Sequence, residues 1–277
     1  MQRIGVLYNP LSEVSIRVSS ELTEWLEKRG MDVWRGVSHE GREEPSIVEC
    51  MDLLIALGGD GTVLRATRLS LSATRCTVPV LPVALGHLSF MAELQPEELY
   101  KGLEILLNGG GWRDERTLVE ATIYHTNGQT QHMTALNEIL VARGEINRVV
   151  IIDIELYHAK LTTYHADGVL VATATGSTAY ALAVGGPIID PRSHALVVVP
   201  VAAHLTNIPS LVLDEDAVVR LRLSSRHPAA FSADGRDAVS LHEGDVVEVR
   251  RAEKKCIFAR VHPPSTFYAR LTQRLRR

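Results

Sequence analysis

Leu53-Leu54-Ile55-Ala56-Leu57 runs without a polar residue into Gly58-Gly59-Asp60-Gly61-Thr62, and Val63, Leu64 and Ala66 follow. A short apolar run stopped by glycines reads as a strand buried on both faces. The residues after it favour a helix. Strand, glycine turn and helix in that order make the repeating unit of an open α/β domain. Glycines let backbone amides approach a ligand closely. Amides at a helix start attract phosphate, helped by the positive end of the helix dipole. An acid in such a cradle repels phosphate unless it holds a metal or takes a proton. The structural alternative is a glycine-rich turn with Asp60 as helix N-cap. A nucleotide P-loop needs a Lys-Ser/Thr ending and a dinucleotide fingerprint needs G-x-G-x-x-G; neither is present in this segment.

The flanking sequence repeats the theme. Residues 4–8 are apolar and end at the turn signal Asn9-Pro10. Val18, Leu22, Trp25 and Leu26 recur at helical spacing before Gly30. Residues 78–85 read as a third strand, and 97–107 as a helix closed by Asn108-Gly109-Gly110-Gly111. Beyond that glycine cluster the period shifts to two: Val119, Ala121 and Ile123 alternate with Glu120, Thr122 and Tyr124, and Asn127-Gly128 is a hairpin signal. Segments 149–157, 217–223, 246–250 and 256–261 are further strand candidates, and 265–277 reads as a helix with Ser265 at its start. The expectation is an N-terminal α/β domain followed by a mainly β domain.

Composition narrows the class. The chain has 277 residues, 45% hydrophobic and 22% charged, which excludes disorder as the dominant state. The net charge of −4 gives no reason to expect nucleic acid. Segment 250–277 holds nine basic residues and one acid, so the tail is +8 and the rest −12. Such a tail either meets phosphates or is a solvated face. No stretch has the length of a membrane span or the core of a signal peptide. Cys50, Cys76 and Cys256 lack metal-type spacing and point to buried thiols in a reducing cytoplasm.

A second cluster lies in the β-rich half. It comprises Asn137-Glu138, Asp167-Gly168, Thr175-Gly176-Ser177-Thr178-Ala179-Tyr180 and Gly185-Gly186-Pro187. Small residues, hydroxyls and one aromatic make a surface that a planar base and a ribose can approach. Each piece alone is an ordinary turn; their succession favours a ligand site.

With these residues assembled, the sequence resembles the NAD kinase family over nearly its whole length. The 58–62 segment is shared with the wider superfamily of diacylglycerol, sphingosine and 6-phosphofructo-kinases. Its combination with Asn137-Glu138, Ala166-Asp167-Gly168, Thr175 to Tyr180 and the closing Phe267-Tyr268-Ala269-Arg270-Leu271 is much more specific. The resemblance implies an N-terminal α/β domain with an open, mainly parallel sheet, a mainly β C-terminal sandwich, and a C-terminal helix that returns to the first domain. The boundaries expected are 1–111 with 263–277, and 112–262. It implies transfer of the ATP γ-phosphate to the adenosine-ribose 2′-hydroxyl of NAD with Mg²⁺ or another divalent metal. It also implies a cytoplasmic homodimer or homotetramer with no nucleic-acid or membrane partner.

Residue roles carry over on the same resemblance. Asp60 looks like the proton acceptor, with Gly58, Gly59, Gly61, Thr62 and Arg65 as nucleotide contacts. Asn137 and Glu138 look like the NAD-contacting pair. Arg148 and His165 stand at NAD-contacting positions, and Asp167 resembles the acid near the nicotinamide end, which often reaches a neighbouring subunit's site. Thr175, Thr178, Ala179 and Tyr180 resemble the adenosine-binding turn, with Ala183 at its end where relatives often have serine. No residue is assigned as a metal ligand. The chain departs from the pattern at His87, where relatives carry asparagine, and at Ser89, where they carry glycine. Further departures are the residue before His204, where relatives have proline, Ile208 for arginine, and Arg236 for glutamine. A lipid or sugar kinase using the same glycine turn, or a non-catalytic dinucleotide sensor, are the competing readings.

Overall fold

A computed structural model describes residues 1–38, 45–49, 51–74, 77–86, 89–145, 148–203, 209–236 and 238–275. Cys50, Cys76, His87, His204 and Ile208, singled out above, lie outside them. The elements are β1 (Arg3–Tyr8), α1 (Glu13–Glu27), β2 (Asp32–Val37), α2 (Pro45–Val48), β3 (Leu53–Leu57), α3 (Asp60–Ser72), β4 (Val80–Val83) and α4 (Leu99–Leu107). Then come β5 (Trp112–Tyr124), β6 (Thr130–Ala135), β7 (Glu138–Arg143), β8 (Val150–Leu156), β9 (Ala159–Ala166), β10 (Gly168–Thr173) and α5 (Tyr180–Ala183). The last are β11 (Leu196–Val201), β12 (Leu211–Leu213), β13 (Val219–Leu223), β14 (Ala229–Ala233), β15 (Val239–Leu241), β16 (Val246–Arg260) and α6 (Thr266–Leu275). They form two units, Met1–Glu115 with Cys256–Arg277, and Arg116–Lys255.

In the first unit β1 pairs in parallel with β2 and β3, and β3 with β4. All five residues of β3 are buried, as its unbroken apolar run requires. Leu22 and Leu26 sit one turn apart on α1, and Leu99, Leu103 and Leu106 line one face of α4. These side chains pack with Ile4, Val6, Leu53, Ile55 and Leu57 in one core. Ser12 starts α1 by accepting from the Ser15 N–H at 3.3 Å.

The chain's last residues complete this unit. Phe258 of β16 registers in parallel with Val80 of β4. Arg260, 5% exposed, donates to Asp114 Oδ2 at 3.0 Å, Glu93 Oε2 at 3.2 Å and the Met91 carbonyl at 2.9 Å. Glu93 also accepts the Val261 and His262 N–H groups at 2.8 and 2.6 Å. On α6, Arg270 donates to the carbonyls of Ala92 and Glu93. The basic tail is therefore not a uniform solvated face. Arg250 and Arg251 pair within the second unit, with Glu120 at 2.7 Å and Glu215 at 3.5 Å.

The second unit is a sandwich of antiparallel pairs. One sheet runs β12-β11-β10-β7-β14-β15. Opposite it, β13 lies between β8 and the first half of β16, with β9 beside β8. The hairpin β5–β6 turns at Asn127-Gly128, where His125 N–H donates to the Gln129 carbonyl at 2.9 Å. Ile139, Val141, Val171 and Phe231 from one sheet meet Ile152, Ile154, Leu221 and Val247 from the other. The two strands expected over 246–250 and 256–261 are a single strand, β16. Its charged middle hid this; Ala252 is buried between the exposed Arg250 and Glu253 and carries the strand across.

The architecture is the expected one: a mainly parallel α/β unit, a mainly antiparallel β unit, and a C-terminal helix that belongs to the first.

Candidate active site

The glycine turn stands at the carboxyl end of β3, in the position where parallel α/β sheets bind ligands. Gly59 is the N-cap of α3 and Asp60 its first residue, so Asp60 is not the N-cap of the structural alternative. A Cβ on Gly58 would overlap Thr62 Oγ1, which forces glycine there. Above the turn there is room. A Cβ on Gly59 would meet nothing within 4 Å, and one on Gly61 only Arg65 Nη1 at 3.8 Å. The Arg65 guanidinium lies beside Gly61 and donates to Ser38 Oγ at 3.2 Å. Asp60 is half-buried and accepts at Oδ1 from the Ser89 hydroxyl. This turn thus offers open backbone, a helix start, one cation and one oriented carboxylate.

In the second unit the antiparallel pairing of β7 with β10 brings distant residues together, with Glu138 opposite Ala172. Thr173 donates its N–H to the Asn137 carbonyl at 2.8 Å and its hydroxyl to the Leu136 carbonyl at 2.6 Å. The Thr173 hydroxyl also accepts the Gly176 N–H at 3.1 Å, which opens the turn through Thr175 and Thr178. Thr178 Oγ1 donates to the Thr175 carbonyl at 3.1 Å, and Ala179 leads into α5. Tyr180, first in α5, is 41% exposed, while Ala183 ends the helix. From the other side comes Asp234. Its Oδ1 accepts the N–H groups of Asn137 at 2.7 Å and Glu138 at 3.4 Å, and its Oδ2 that of Leu136 at 2.9 Å.

Asn137 and Glu138 are both more than nine-tenths buried, and among the described residues Asn137 Oδ1 and Glu138 Oε2 have no hydrogen-bond partner. Burial, then the charge of Asp234, pushes the Glu138 carboxyl up to about 8. Burial also holds Asp234 above its ordinary range, against the pull of its three amide donors and the Arg236 cation. The amide donors all point at Asp234 and favour its charged form, while Glu138 has no such donors on its carboxylate among the described residues. A buried polar group without a partner is costly. A ligand carrying hydroxyls or a ring amide would satisfy both side chains.

The remaining expected residues gather elsewhere in this unit. Asp167 links β9 to β10, and its carboxylate is 3.3 Å from Arg143 Nη1. His165 registers with Ile151 across β8–β9, and Arg148 lines an open cavity of about 490 Å³ with Ile151, Ser224 and Arg226. Asp167 precedes β10 and Asn137 precedes its antiparallel neighbour β7, so the two lie at opposite ends of the strand pair. At about 3.4 Å per residue, six residues put roughly 20 Å between them. The structure therefore gathers Asn137, Glu138 and Thr175 to Tyr180 at one end, and Arg148, His165 and Asp167 towards the other.

Three contributors were not singled out as site residues from the sequence. Thr173 is hidden inside an apolar strand. Arg116, 7% exposed, donates to Thr175 Oγ1 at 3.2 Å across 59 residues of sequence. Asp234 stood in view beside Arg236, but nothing in the sequence tied it to residues 136–138. Arg236 itself donates to the carbonyls of Thr134 and Ala233, at 3.1 and 3.3 Å.

The glycine-acid turn thus lies on a mainly parallel α/β unit, and the cluster from Asn137 to Tyr180 on a mainly antiparallel β unit. Residues 39–111 match the family described as ATP-NAD kinase N-terminal domain, and 136–261 match the ATP-NAD kinase C-terminal domain. The NAD kinase of Chloroflexus aggregans is 58% identical over 277 residues, covering 100% of this chain and 99% of that protein. That of Dehalococcoides mccartyi (strain CBDB1) is 37% identical, covering 99% and 96%. Among solved structures, yeast NADH kinase complexed with NADH aligns with a TM-score of 0.85 at 23% identity over 99% of this chain and 87% of that one. The Archaeoglobus fulgidus NAD kinase in complex with ATP aligns at 0.79 and 21% identity, covering 99% of both. The chain belongs to the NAD kinase family.

Proposed function

We infer that this chain is an enzyme that phosphorylates NAD with ATP, moving the γ-phosphate to the 2′-hydroxyl of the adenosine ribose and giving NADP and ADP. The whole-length identity to NAD kinases supports the reaction. The observation that carries the assignment of the NAD site is the buried, unpartnered pair Asn137 Oδ1 and Glu138 Oε2 beside the Thr175–Tyr180 turn.

Each residue then has a task. Asn137 can donate and accept at an adenine edge, and Glu138 meets ribose hydroxyls. Thr175, Thr178 and Ala179 bring backbone and hydroxyls to the nucleoside, Tyr180 supplies a ring face, and Ala183 leaves space at the end of the turn. The amides of Gly58, Gly59, Gly61 and Thr62 and the Arg65 cation hold phosphate. Asp60 takes the proton of the 2′-hydroxyl as it attacks. A carboxylate is a far weaker base than an alkoxide, so proton transfer accompanies attack. General-base help is worth about 10²–10⁴-fold. The larger share comes from alignment and neutralisation of phosphate charge.

Mg²⁺ fits this donor set. It keeps waters and binds through one or two carboxylates plus substrate phosphates. Among the described residues no cluster of three or more His, Cys, Asp or Glu forms a protein cage, and the space above Gly59 and Gly61 is open to phosphates. Held by the phosphates of ATP and by water beside the Gly59–Gly61 backbone, the ion would neutralise charge on the transferring group and leave Asp60 to the acceptor hydroxyl.

The roughly 20 Å between Asn137 and Asp167 supports a homodimer or homotetramer in which Arg148, His165 and Asp167 serve NAD bound by another copy. Among the described residues no helix is long and apolar enough to cross a membrane. A cytoplasmic location agrees with the cysteine usage. Incubating the purified protein with NAD, ATP and Mg²⁺ and measuring NADP tests the reaction. Tight NAD binding without ATP consumption would instead leave a sensor.

A further inference from the structure

Ser89 stands in the loop after β4, 3% exposed. Its hydroxyl accepts the N–H groups of Met91 at 3.0 Å and Ala92 at 3.1 Å. A serine hydroxyl has two acceptor lone pairs and one proton. Both lone pairs are taken, so the proton has one place to go, and it goes to Asp60 Oδ1. We propose that Ser89 is a positioning residue that fixes the Asp60 carboxylate and leaves Oδ2 as the oxygen presented to the acceptor hydroxyl. This rests on the reading of Asp60 as proton acceptor.

The loop itself is clamped. Met91 O accepts from Arg260, Ala92 O and Glu93 O accept from Arg270, and the Glu93 carboxylate holds Arg260 and two further amides. The donor to Asp60 is thus held by backbone amides whose own carbonyls are held by two guanidinium groups. A hydroxyl so fixed has one orientation. Without it, the carboxylate on a half-buried helix start is free to rotate about χ2, a broad two-fold torsion. Misplacing a reacting oxygen by about 1 Å can cost up to 10²-fold in rate. Glycine or alanine at 89 cannot supply this bond.

The test compares Ser89→Ala, Ser89→Gly and Ser89→Thr in the full chain, each checked for cooperative urea unfolding. The alanine and glycine variants should lose about tenfold in kcat, with KM for NAD and for ATP within twofold. The threonine variant, which keeps the hydroxyl, should stay within threefold of the parent. General damage to the loop would raise KM and would not be restored by threonine. Equal kcat in all variants, or equal loss in threonine, overturns the proposal. Asp60→Asn is run alongside. If it turns over like the parent, the reading of Asp60 fails. If it is inactive while Ser89→Ala keeps its kcat, only the role of Ser89 fails.

Discussion

Gly176 lies against the carbonyl of Asn137: a Cβ at 176 would overlap that oxygen and stand 2.7 Å from the Asn137 Cα. The two segments proposed to hold the nucleoside therefore touch through bare backbone. Any side chain at 176 pushes Asn137 off its place. Gly176→Ala should destabilise the protein by about 1–3 kcal/mol, the usual cost of overpacking. It should also raise KM for NAD more than KM for ATP. Urea unfolding and steady-state kinetics with each substrate varied check both.

Asp60→Asn keeps the shape of the carboxylate and removes its ability to take a proton. The expected loss in kcat is about 10²–10⁴-fold. NAD affinity by calorimetry should stay within a few-fold, because Asn137 and Glu138, proposed to hold the nucleoside, are untouched.

Glu138 sets a pH dependence of stability. In the unfolded chain it releases its proton near its ordinary value of 4.5, and in the folded protein near 8. Between those values the folded state holds a proton that the unfolded state has lost. Stability of the ligand-free protein should fall as pH rises through that window and level off above it. Glu138→Gln should remove this part of the slope. Urea midpoints from pH 5 to 8.5, for parent and variant, give the comparison.

Arg260→Met leaves Glu93 and Asp114 buried, at 4% and 3% side-chain exposure, without their shared cation. Removing one partner of a buried ion pair typically costs about 3–5 kcal/mol. Chemical denaturation should show a loss of that order. Arg250→Met removes a partner from a pair exposed to solvent and should cost less than about 1 kcal/mol.

The legible parts of the fold were local. The run 53–57 with its glycine turn fixed a buried strand and a helix start, because that information sits in ten adjacent residues. The period-two alternation at 119–123 and the Asn127-Gly128 turn were legible for the same reason. Asn137-Glu138 and Thr175 to Tyr180 were readable as pieces, and the β7–β10 pairing explains why they lie together. The Arg260–Asp114 and Arg260–Glu93 bonds join residues 146 and 167 apart. No periodicity reports such a pair, and from sequence those arginines read as members of a charged tail. Asp234 was hidden likewise, since its partners at 136–138 are some hundred residues earlier. The splitting of Arg148, His165 and Asp167 from the rest follows from strand direction, which residue spacing does not encode.

The return of Cys256–Arg277 to the first unit has a consequence for synthesis. A ribosome releases the chain from its N-terminus, and domains tend to fold as they emerge. The second unit is complete once Lys255 has left the exit tunnel. The first unit, though begun earlier, still lacks a sheet strand and the cation for Glu93 and Asp114. Its glycine turn is made early, but the clamp on the loop that bears Ser89 closes only with Arg260 and Arg270. Translation that stops short of Arg260 would thus yield a finished sandwich attached to a first unit that still lacks its returning strand and the cation for its buried acids.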